Sequence, residues 1–335
     1  MTATIKDIAK ELGITHSTVS RALNGKMGVS PELRQTILNT AERLGYSPNA
    51  MARGLVTRQS NTIAVIVPDF SNPFFVEIAH EISTVASARG YTTILCDSRW
   101  DHREELLQIK LMAEKRVDGI IIKSFGDDDS YLAELDLPVV KLNPANLPDV
   151  SSIDIDNALG SFQATEHLIQ GGYQHIAYIG STLDPQTAEG RYKGYVKALA
   201  QSGREVDERL VCRGVYSPES GATCYASLRS QGLSFDAALC ENDMIALGVL
   251  DQALQDHQDV PAQFGVVGFD DLFFAGLPMF SLTTVAQPKR MIGEKAATLL
   301  LDLITRPEET PHQSLILKPE LVVRSTTRSV TNQPD

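Results

Sequence analysis

The sequence predicts an α/β protein in which a small helical unit is followed by two doubly wound lobes. Three observations carry the prediction. Residues 4–24, TIKDIAKELGITHSTVSRALN, spell a helix, a glycine-bearing turn and a second short helix rich in small polar residues. From Asn61 onward, short β-rich runs alternate with amphipathic segments, the pattern of parallel sheets covered on both faces. Charge divides the 335 residues at the same place. Residues 1–60 hold eight Lys/Arg against four Asp/Glu, or +4, leaving 22 against 38, or −16, for the rest of a chain of net charge −12. A basic head on an acidic body confines contact with a polyanion to the head and makes it sensitive to salt.

In the first helix Thr4 is the N-cap, Asp7 occupies the capping-box position, and Ile5, Ile8, Ala9 and Leu12 form one apolar stripe that stops at Gly13. Thr15 caps the second helix, where Val19, Ala22 and Leu23 fall three and four apart. Its other face carries His16, Ser17, Ser20 and Arg21. The second helix of a helix-turn-helix lies in the major groove with its N-terminal side chains against base edges. His16 and Ser17 are therefore the expected base readers, and Thr18, Ser20 and Arg21 the partners of phosphates or flanking bases. Ser30-Pro31-Glu32 then opens a third helix whose expected stripe is Leu33, Ile37, Leu38, Ala41 and Leu44, ending at Gly45.

Tyr46-Ser47-Pro48-Asn49 leads into a short segment, 50–57, with Ala52, Leu55 and Val56 apolar and Arg53 and Arg58 basic. At this point the chain resembles the LacI/GalR family of bacterial repressors: IKDIAKELGITHSTVSRALNG and VSPELRQTILNTAERLGYSPNAMARGL follow that family's headpiece and hinge almost word for word. The resemblance runs to about Arg328. It implies a hinge helix, roughly Pro48 to Val56, that folds when two copies meet on an operator, with Leu55 as the wedge that kinks a minor-groove base step. The expected DNA-contacting set is Thr4, Thr15, His16, Ser17, Thr18, Ser20, Arg21 and Asn24 in the headpiece, with Asn49, Ala52, Arg53 and Leu55 in the hinge. It also implies a periplasmic-binding-protein-like core whose lobes are joined by crossovers near Asp156, Gln287 and Leu315. The expected organisation is a headpiece over 1–47, a hinge and linker over 48–60, and a core over 61–330. Lobe 1 takes about 61–156 and 288–313, and lobe 2 about 157–287 and 314–330.

Within the core the expected strands are 62–67, 92–96, 119–123, 139–142, 175–179, 237–240 and 265–267. The expected helices are 75–89, 104–115, 158–170, 190–201, 243–255 and 290–304, and SSIDIDN at 151–157 reads as a crossover. Ligands of open α/β sheets sit outside the carboxyl ends of the strands. There the resemblance places Ser71, Asn72, Phe74 and Phe75 after the first strand, and beyond them Arg191, Tyr216, Asn242 and Asp270. A cation, an anion, amides and aromatic faces suit a polyhydroxylated ligand. Where many relatives carry an aspartate near the end of the fourth strand, this chain has Asn143. Lys123 and Lys141 end neighbouring strands: the commoner arrangement is that both snorkel to solvent or pair with a lobe-surface carboxylate, and the alternative is that at least one lends the cleft positive potential, favouring a sugar acid or sugar phosphate.

The expectation is thus a homodimeric, sugar-responsive repressor of a near-palindromic operator, without cofactor or metal. Effector would close or reorient the lobes so that the hinges lose or gain their pairing. Cys96, Cys212, Cys224 and Cys240 lack a metal or disulfide spacing and are expected as reduced thiols. The N-terminus lacks the regions of a signal peptide and no apolar run reaches about 18 residues, so a cytoplasmic, non-membrane protein is expected. No phosphate loop, dinucleotide fingerprint, zinc-protease or nucleophile-elbow motif is present, which argues against an enzyme. Two competing readings remain: a solute-binding transport protein, against which the basic head argues, and a regulator of the same fold controlled by a protein partner.

Overall fold

The computed structural model describes residues 3–23, 25, 27–46, 59–124, 129–145 and 147–329. It falls into two units, Met1–Ser60 and Asn61–Asp335. In the first, α1 (Ile5–Leu12), α2 (His16–Leu23) and α3 (Pro31–Arg43) enclose Ile8, Val19 and Ile37, all sealed from solvent. Each such side chain contributes about 1.5–3 kcal/mol by leaving water. The Thr4–Asp7 capping box is formed, and Gly13 closes α1 at φ +64°, where a side chain would be strained. Leu38 departs from expectation. Leu33, Ile37, Ala41 and Leu44 lie on one face, whereas Leu38 follows Ile37 by a third of a turn and is 42% exposed.

The second unit continues in chain order with β1 (Thr62–Val67), α4 (Pro73–Ala88), β2 (Thr92–Asp97), α5 (His102–Glu114), β3 (Gly119–Ile122), α6 (Ser130–Ala133), β4 (Val139–Lys141) and β5 (Ser151–Ile155). There follow α7 (Asn157–Gln170), β6 (Ile176–Ser181), α8 (Pro185–Gln201), β7 (Val211–Gly214), α9 (Pro218–Ser230), β8 (Ala237–Cys240), α10 (Asp243–Gln255), β9 (Gly265–Asp270) and β10 (Thr283–Ala286). The chain ends with α11 (Lys289–Thr305), β11 (Ser314–Leu317) and β12 (Glu320–Val322). One sheet has the order β11-β5-β4-β3-β1-β2 and is wholly parallel. The other, β12-β10-β9-β8-β6-β7, is parallel except for β12. Both faces of β1 are covered. Ile63, Val65 and Val67 pack with Ile78, Ile82 and Leu300 of α4 and α11, while Ala64 and Ile66 pack with Ile109 and Met112 of α5. In the second sheet, one face buries Tyr178, Tyr195 and Phe269, and the other Tyr225, Ile245 and Phe264.

Several expectations are corrected. Residues 151–155 are not a crossover but strand β5, which pairs with β4 and β11; the chain crosses to the second sheet after it, where Asp156 caps α7. Residues 314–317 join the first sheet as β11, so the last crossover follows Leu317 and that strand leaves lobe 2 for lobe 1. Strands β7, β10, β11 and β12 and helices α6 and α9 are not among the expected elements. β7, β11 and β12 are sheet-edge strands with mixed burial, and lack the continuous apolar run that marks an interior parallel strand. Cys96 and Cys240 are buried thiols, but Cys212 and Cys224 are joined by a disulfide. Their separation of 12 residues carries no signature in sequence. A tight turn between β7 and α9 brings their α-carbons to 5.7 Å.

Candidate functional site

The headpiece presents the start of α2 to its surroundings. Thr4, Thr15, His16, Ser17 and Arg21 are exposed, whereas Thr18 and Ser20 are half-buried. Thr15 accepts the backbone N–H of Thr18 at 3.2 Å, and its hydroxyl lies 2.8 Å from that of Ser17 and 2.9 Å from that of Thr18. This hydroxyl chain fixes the first turn of α2, leaving His16 and Ser17 at the N-terminal end that a recognition helix inserts into the groove. The Glu11–Arg43 ion pair ties α1 to α3. Asn24 and the hinge positions Asn49, Ala52, Arg53 and Leu55 lie outside the described residues.

The second site is a cavity between the carboxyl ends of the two sheets of the core. Asn72, Phe74, Phe75, Trp100 and Lys123 line it from the first sheet's side, and Asp184, Thr187, Arg191, Tyr216, Asn242 and Asp270 from the second's. Asp154, Asn157 and Gln287, at or beside the crossovers, complete the polar lining. Local structure places each of them. Asn72 caps α4 by accepting the N–H of Phe74 at 3.0 Å, and Asn242 caps α10 by accepting that of Ile245 at 2.9 Å. Asp184 caps α8. An aromatic wall crosses the cavity: Phe74 and Phe75 meet edge-on at 5.2 Å, Phe75 and Trp100 at 6.1 Å, and Trp100 faces Tyr216 at 5.4 Å. Such pairs present flat apolar faces against which a sugar ring can stack.

Arg191 is held on all sides. Its Nε donates to Asn157 Oδ1 at 2.9 Å, Nη1 donates to the carbonyl of Glu241, Nη2 lies 3.8 Å from Asp270 Oδ1, and the guanidinium stacks 3.7 Å above the ring of Phe269. The planar fork is thereby pre-organised to present donors to a ligand. Asp270 accepts from Gln287 Nε2 at 2.6 Å. Burial pushes its carboxyl up to about 6, against the opposing pull of Arg191 and Gln287. Its φ of +114°, with Asp271 at +51° and Trp100 at +54°, places backbone strain of the order of 1–3 kcal/mol per residue at the strand ends around the cavity. Burial also raises Asp154, with Lys123 opposing. Burial, reinforced by Glu241 and Asp184, raises the Tyr216 phenol well above its ordinary value, so Tyr216 is a neutral hydrogen-bonding group.

Lys123 does not supply free positive potential. Its ammonium is 2.7 Å from Asp184 Oδ2 and 3.3 Å from Thr187 Oγ1, across the gap between the sheets. Although burial favours the neutral acid, the Lys123 charge and the hydrogen bonds from Lys123 and Thr187 hold Asp184 below the usual carboxylate range. Lys141 is sealed elsewhere, paired with Asp129 and donating to the carbonyl of Pro144 at 2.7 Å. The lining therefore sets two cations, Lys123 and Arg191, against three carboxylates, Asp154, Asp184 and Asp270. Of the two expectations for the lysines, pairing with carboxylates is what the fold shows, and the alternative of a cationic cleft is cancelled.

Of the expected effector residues, Asn72, Phe74, Phe75, Lys123, Arg191, Tyr216, Asn242 and Asp270 line the cavity. Ser71 and Asn143 do not. Ser71 folds back on Asp69 through its N–H and hydroxyl, at 2.7 and 2.6 Å. Asn143 spends its amide on the Ser124 carbonyl at 3.0 Å and on Gln186 Oε1 at 3.2 Å. Trp100, Asp154, Asn157, Asp184, Thr187 and Gln287 were missed. The strand-end rule reaches Trp100, in DSRW after β2, and Asp184, in TLDPQT after β6, once it is applied to every strand. Asp154 gives no strand-end signal, because SSIDIDN reads in sequence as a crossover. Among the described residues no group of His, Cys, Asp and Glu is arranged to hold a metal, and no helix is long and apolar enough to cross a membrane.

Residues 60–323 match the family model described as periplasmic binding proteins and sugar binding domain of LacI family, and residues 4–49 match the one described as bacterial regulatory proteins, lacI family. The chain is similar to the HTH-type transcriptional regulator RegA of Clostridium saccharobutylicum, 35% identical over 332 residues covering 98% of this chain and 100% of that protein. Among solved structures it is similar to the complex of the transcriptional regulator CelR with cellobiose, at 32% identity and a TM-score of 0.73, covering 97% of this chain and 99% of that one. It is also similar to the lac repressor dimer bound to operator and the anti-inducer ONPF, at 26% identity and a TM-score of 0.88, covering 98% of this chain and 100% of that one. A helix-turn-helix head and a two-sheet core with a cavity at its strand ends agree with these matches along nearly the whole length: the chain belongs to the LacI family and is a DNA-binding transcriptional regulator with that family's sugar-binding type of core, not an enzyme.

Proposed function

We propose that this regulator is a cytoplasmic repressor that binds a near-palindromic operator as a symmetric homodimer, and that a neutral, polyhydroxylated sugar-type effector in the cavity controls its operator affinity. His16 and Ser17 read bases, and Thr4, Thr15, Thr18, Ser20 and Arg21 hold phosphates or flanking bases. Arg191, Asp270, Asn157, Asn72 and Asn242 bind effector hydroxyls, while Phe74, Trp100 and Tyr216 stack on its ring.

The observation that carries the effector class is the fixed Arg191 fork beside Asp270 and opposite an aromatic wall. Paired hydroxyls require donor and acceptor side by side, and a sugar ring's C–H faces require flat apolar surface. Neutrality follows from the Lys123–Asp184 pair, which leaves more carboxylates than cations around the ligand. The solved CelR complex with cellobiose and the lac repressor dimer on operator support the reading by likeness.

A thermal-shift screen of the full chain against neutral sugars, sugar acids, sugar phosphates and nucleobases tests it. Saturation at 100 times Kd adds about 2.7 kcal/mol of stability. A hit among the neutral sugars that also changes retention on a selected operator establishes the effector class. Hits confined to anionic ligands overturn it, and a silent panel with intact operator binding favours control by a protein partner.

A further inference from the structure

We infer that Cys212 and Cys224 are a thiol–disulfide modification site whose redox state sets how firmly Tyr216 closes the cavity. Three independent observations meet here. The two sulfurs are bonded, and the bond joins β7 to α9. The segment between them contains Tyr216, which lines the cavity and faces Trp100 of the opposite sheet at 5.4 Å. Cys212 is partly exposed, whereas Cys96, Cys224 and Cys240 are buried.

The disulfide closes a short ring of chain already tightened by hydrogen bonds. Val215 N–H donates to Ser220 Oγ at 2.9 Å, Ser217 N–H donates to the Val215 carbonyl at 2.8 Å, and Ser217 Oγ caps α9 by accepting the N–H of Ser220 at 3.2 Å. Tyr216 sits inside this ring, so the covalent bond restricts the backbone that aims its side chain at Trp100. With the bond broken, α9 retains its packing: Gly221 lies so close against Ile245 of α10 that a Cβ there would clash with its carbonyl. What is freed is the turn carrying Tyr216, and with it one half of the aromatic bridge across the cavity.

A chain that binds DNA works where cellular thiols keep most cysteines reduced, and disulfides found there are usually transient or redox-sensing. The exchange needs a low-molecular-weight disulfide, such as oxidised glutathione, as electron acceptor. The Cys212 thiolate attacks one of its sulfurs and expels a glutathione thiolate. The Cys224 thiolate then attacks the Cys212 sulfur of the mixed disulfide and expels the second. One protein disulfide forms, one glutathione disulfide is consumed, and the two cysteine protons end on two glutathione thiols. Cys212 is the entry point because it is the one that solvent reaches.

The test uses the full chain and needs no effector, so its outcome is separate from that of the sugar-effector reading. Protein is equilibrated across ratios of reduced to oxidised glutathione, quenched in acid, denatured and alkylated. Mass counting with peptide mapping should show four alkyl groups passing to two, with the loss at Cys212 and Cys224, since the chain has four cysteines and two are free thiols. On the unquenched samples the emission of Trp100, the chain's one tryptophan, should move to the red and become more accessible to acrylamide on reduction, with the same midpoint. Cys212→Ser, which leaves only the buried Cys224 of the pair, should sit at the reduced value and ignore the ratio; if it does not fold, the wild-type titration decides alone. Four alkyl groups at every ratio, two at every ratio including excess dithiothreitol, or Trp100 emission that stays flat through the midpoint would each overturn the inference.

Discussion

Asp184→Asn should destabilise the core by about 3–5 kcal/mol, the cost of leaving one partner of a buried ion pair uncompensated. The side chains of Lys123 and Asp184 are 8% and 4% exposed and their charged atoms are 2.7 Å apart, so removing the carboxylate strands an ammonium where water scarcely reaches. Asparagine retains the ability to cap α8, which confines the change to charge. For a domain of this size each kcal/mol moves Tm by roughly 2–4 °C, so the midpoint should fall by roughly 6–20 °C. Heating followed by Trp100 emission reads the unit that contains the pair, and avoids treating both units as one transition. The double variant Lys123→Met/Asp184→Asn should recover most of the loss, because it removes the stranded ammonium while the cap of α8 stays. The pH dependence has a definite sign. Asp184 is held below its ordinary value of 3.8, so the pair contributes fully above that value and is lost as pH falls through the lower folded one. The stability gap between wild type and the double variant should therefore change only in acid. An Asp184→Asn loss under about 1 kcal/mol, with the double variant the worse of the two, would refute the claim that burial governs this pair.

Other consequences follow from single residues. Asp270 ionises at about 6 in the folded cavity; a polyol that donates hydroxyl hydrogens to its carboxylate should bind more tightly as pH rises through that value. Calorimetric titrations between acid and neutral pH should show this slope, and Asp270→Asn should flatten it. Gly293→Ala would place a methyl carbon 2.6 Å from Glu81 Cβ and 2.9 Å from the Ile78 carbonyl, forcing α11 away from α4 at a cost of about 1–3 kcal/mol in urea unfolding. Arg21→Gln should weaken binding across operator variants and lower the slope of log affinity against log salt by about 0.9, the signature of one lost phosphate contact. His16→Ala should instead change which bases a selected site prefers while leaving that slope unchanged, as measured by binding-site selection.

The sequence by itself determined the headpiece almost completely. Caps, stripes and turn glycines are local signals, and Thr4, Thr15, Ser30 and Gly13 act within four residues of where they stand. It also determined the alternation of strand and helix in the core, because interior parallel strands such as β1 and β8 are continuous apolar runs. Strand-end logic joined to family resemblance then brought eight of the ten expected effector residues to one cavity. The edge strands β7, β11 and β12 and the disulfide escaped it: β11 pairs with β5 some 160 residues earlier, and Cys224 meets Cys212 only through the turn between β7 and α9. The sign of the cleft was left open between paired lysines and free ones, and only the fold decided it. Lys123 and Lys141 look alike in sequence, one just after β3 and the other at the end of β4, yet one spans the gap to Asp184 and the other is sealed against Asp129. The electrostatic character of a buried site depends on which counter-charges lie within a few ångströms and how far water is excluded, and both are settled by packing between distant segments.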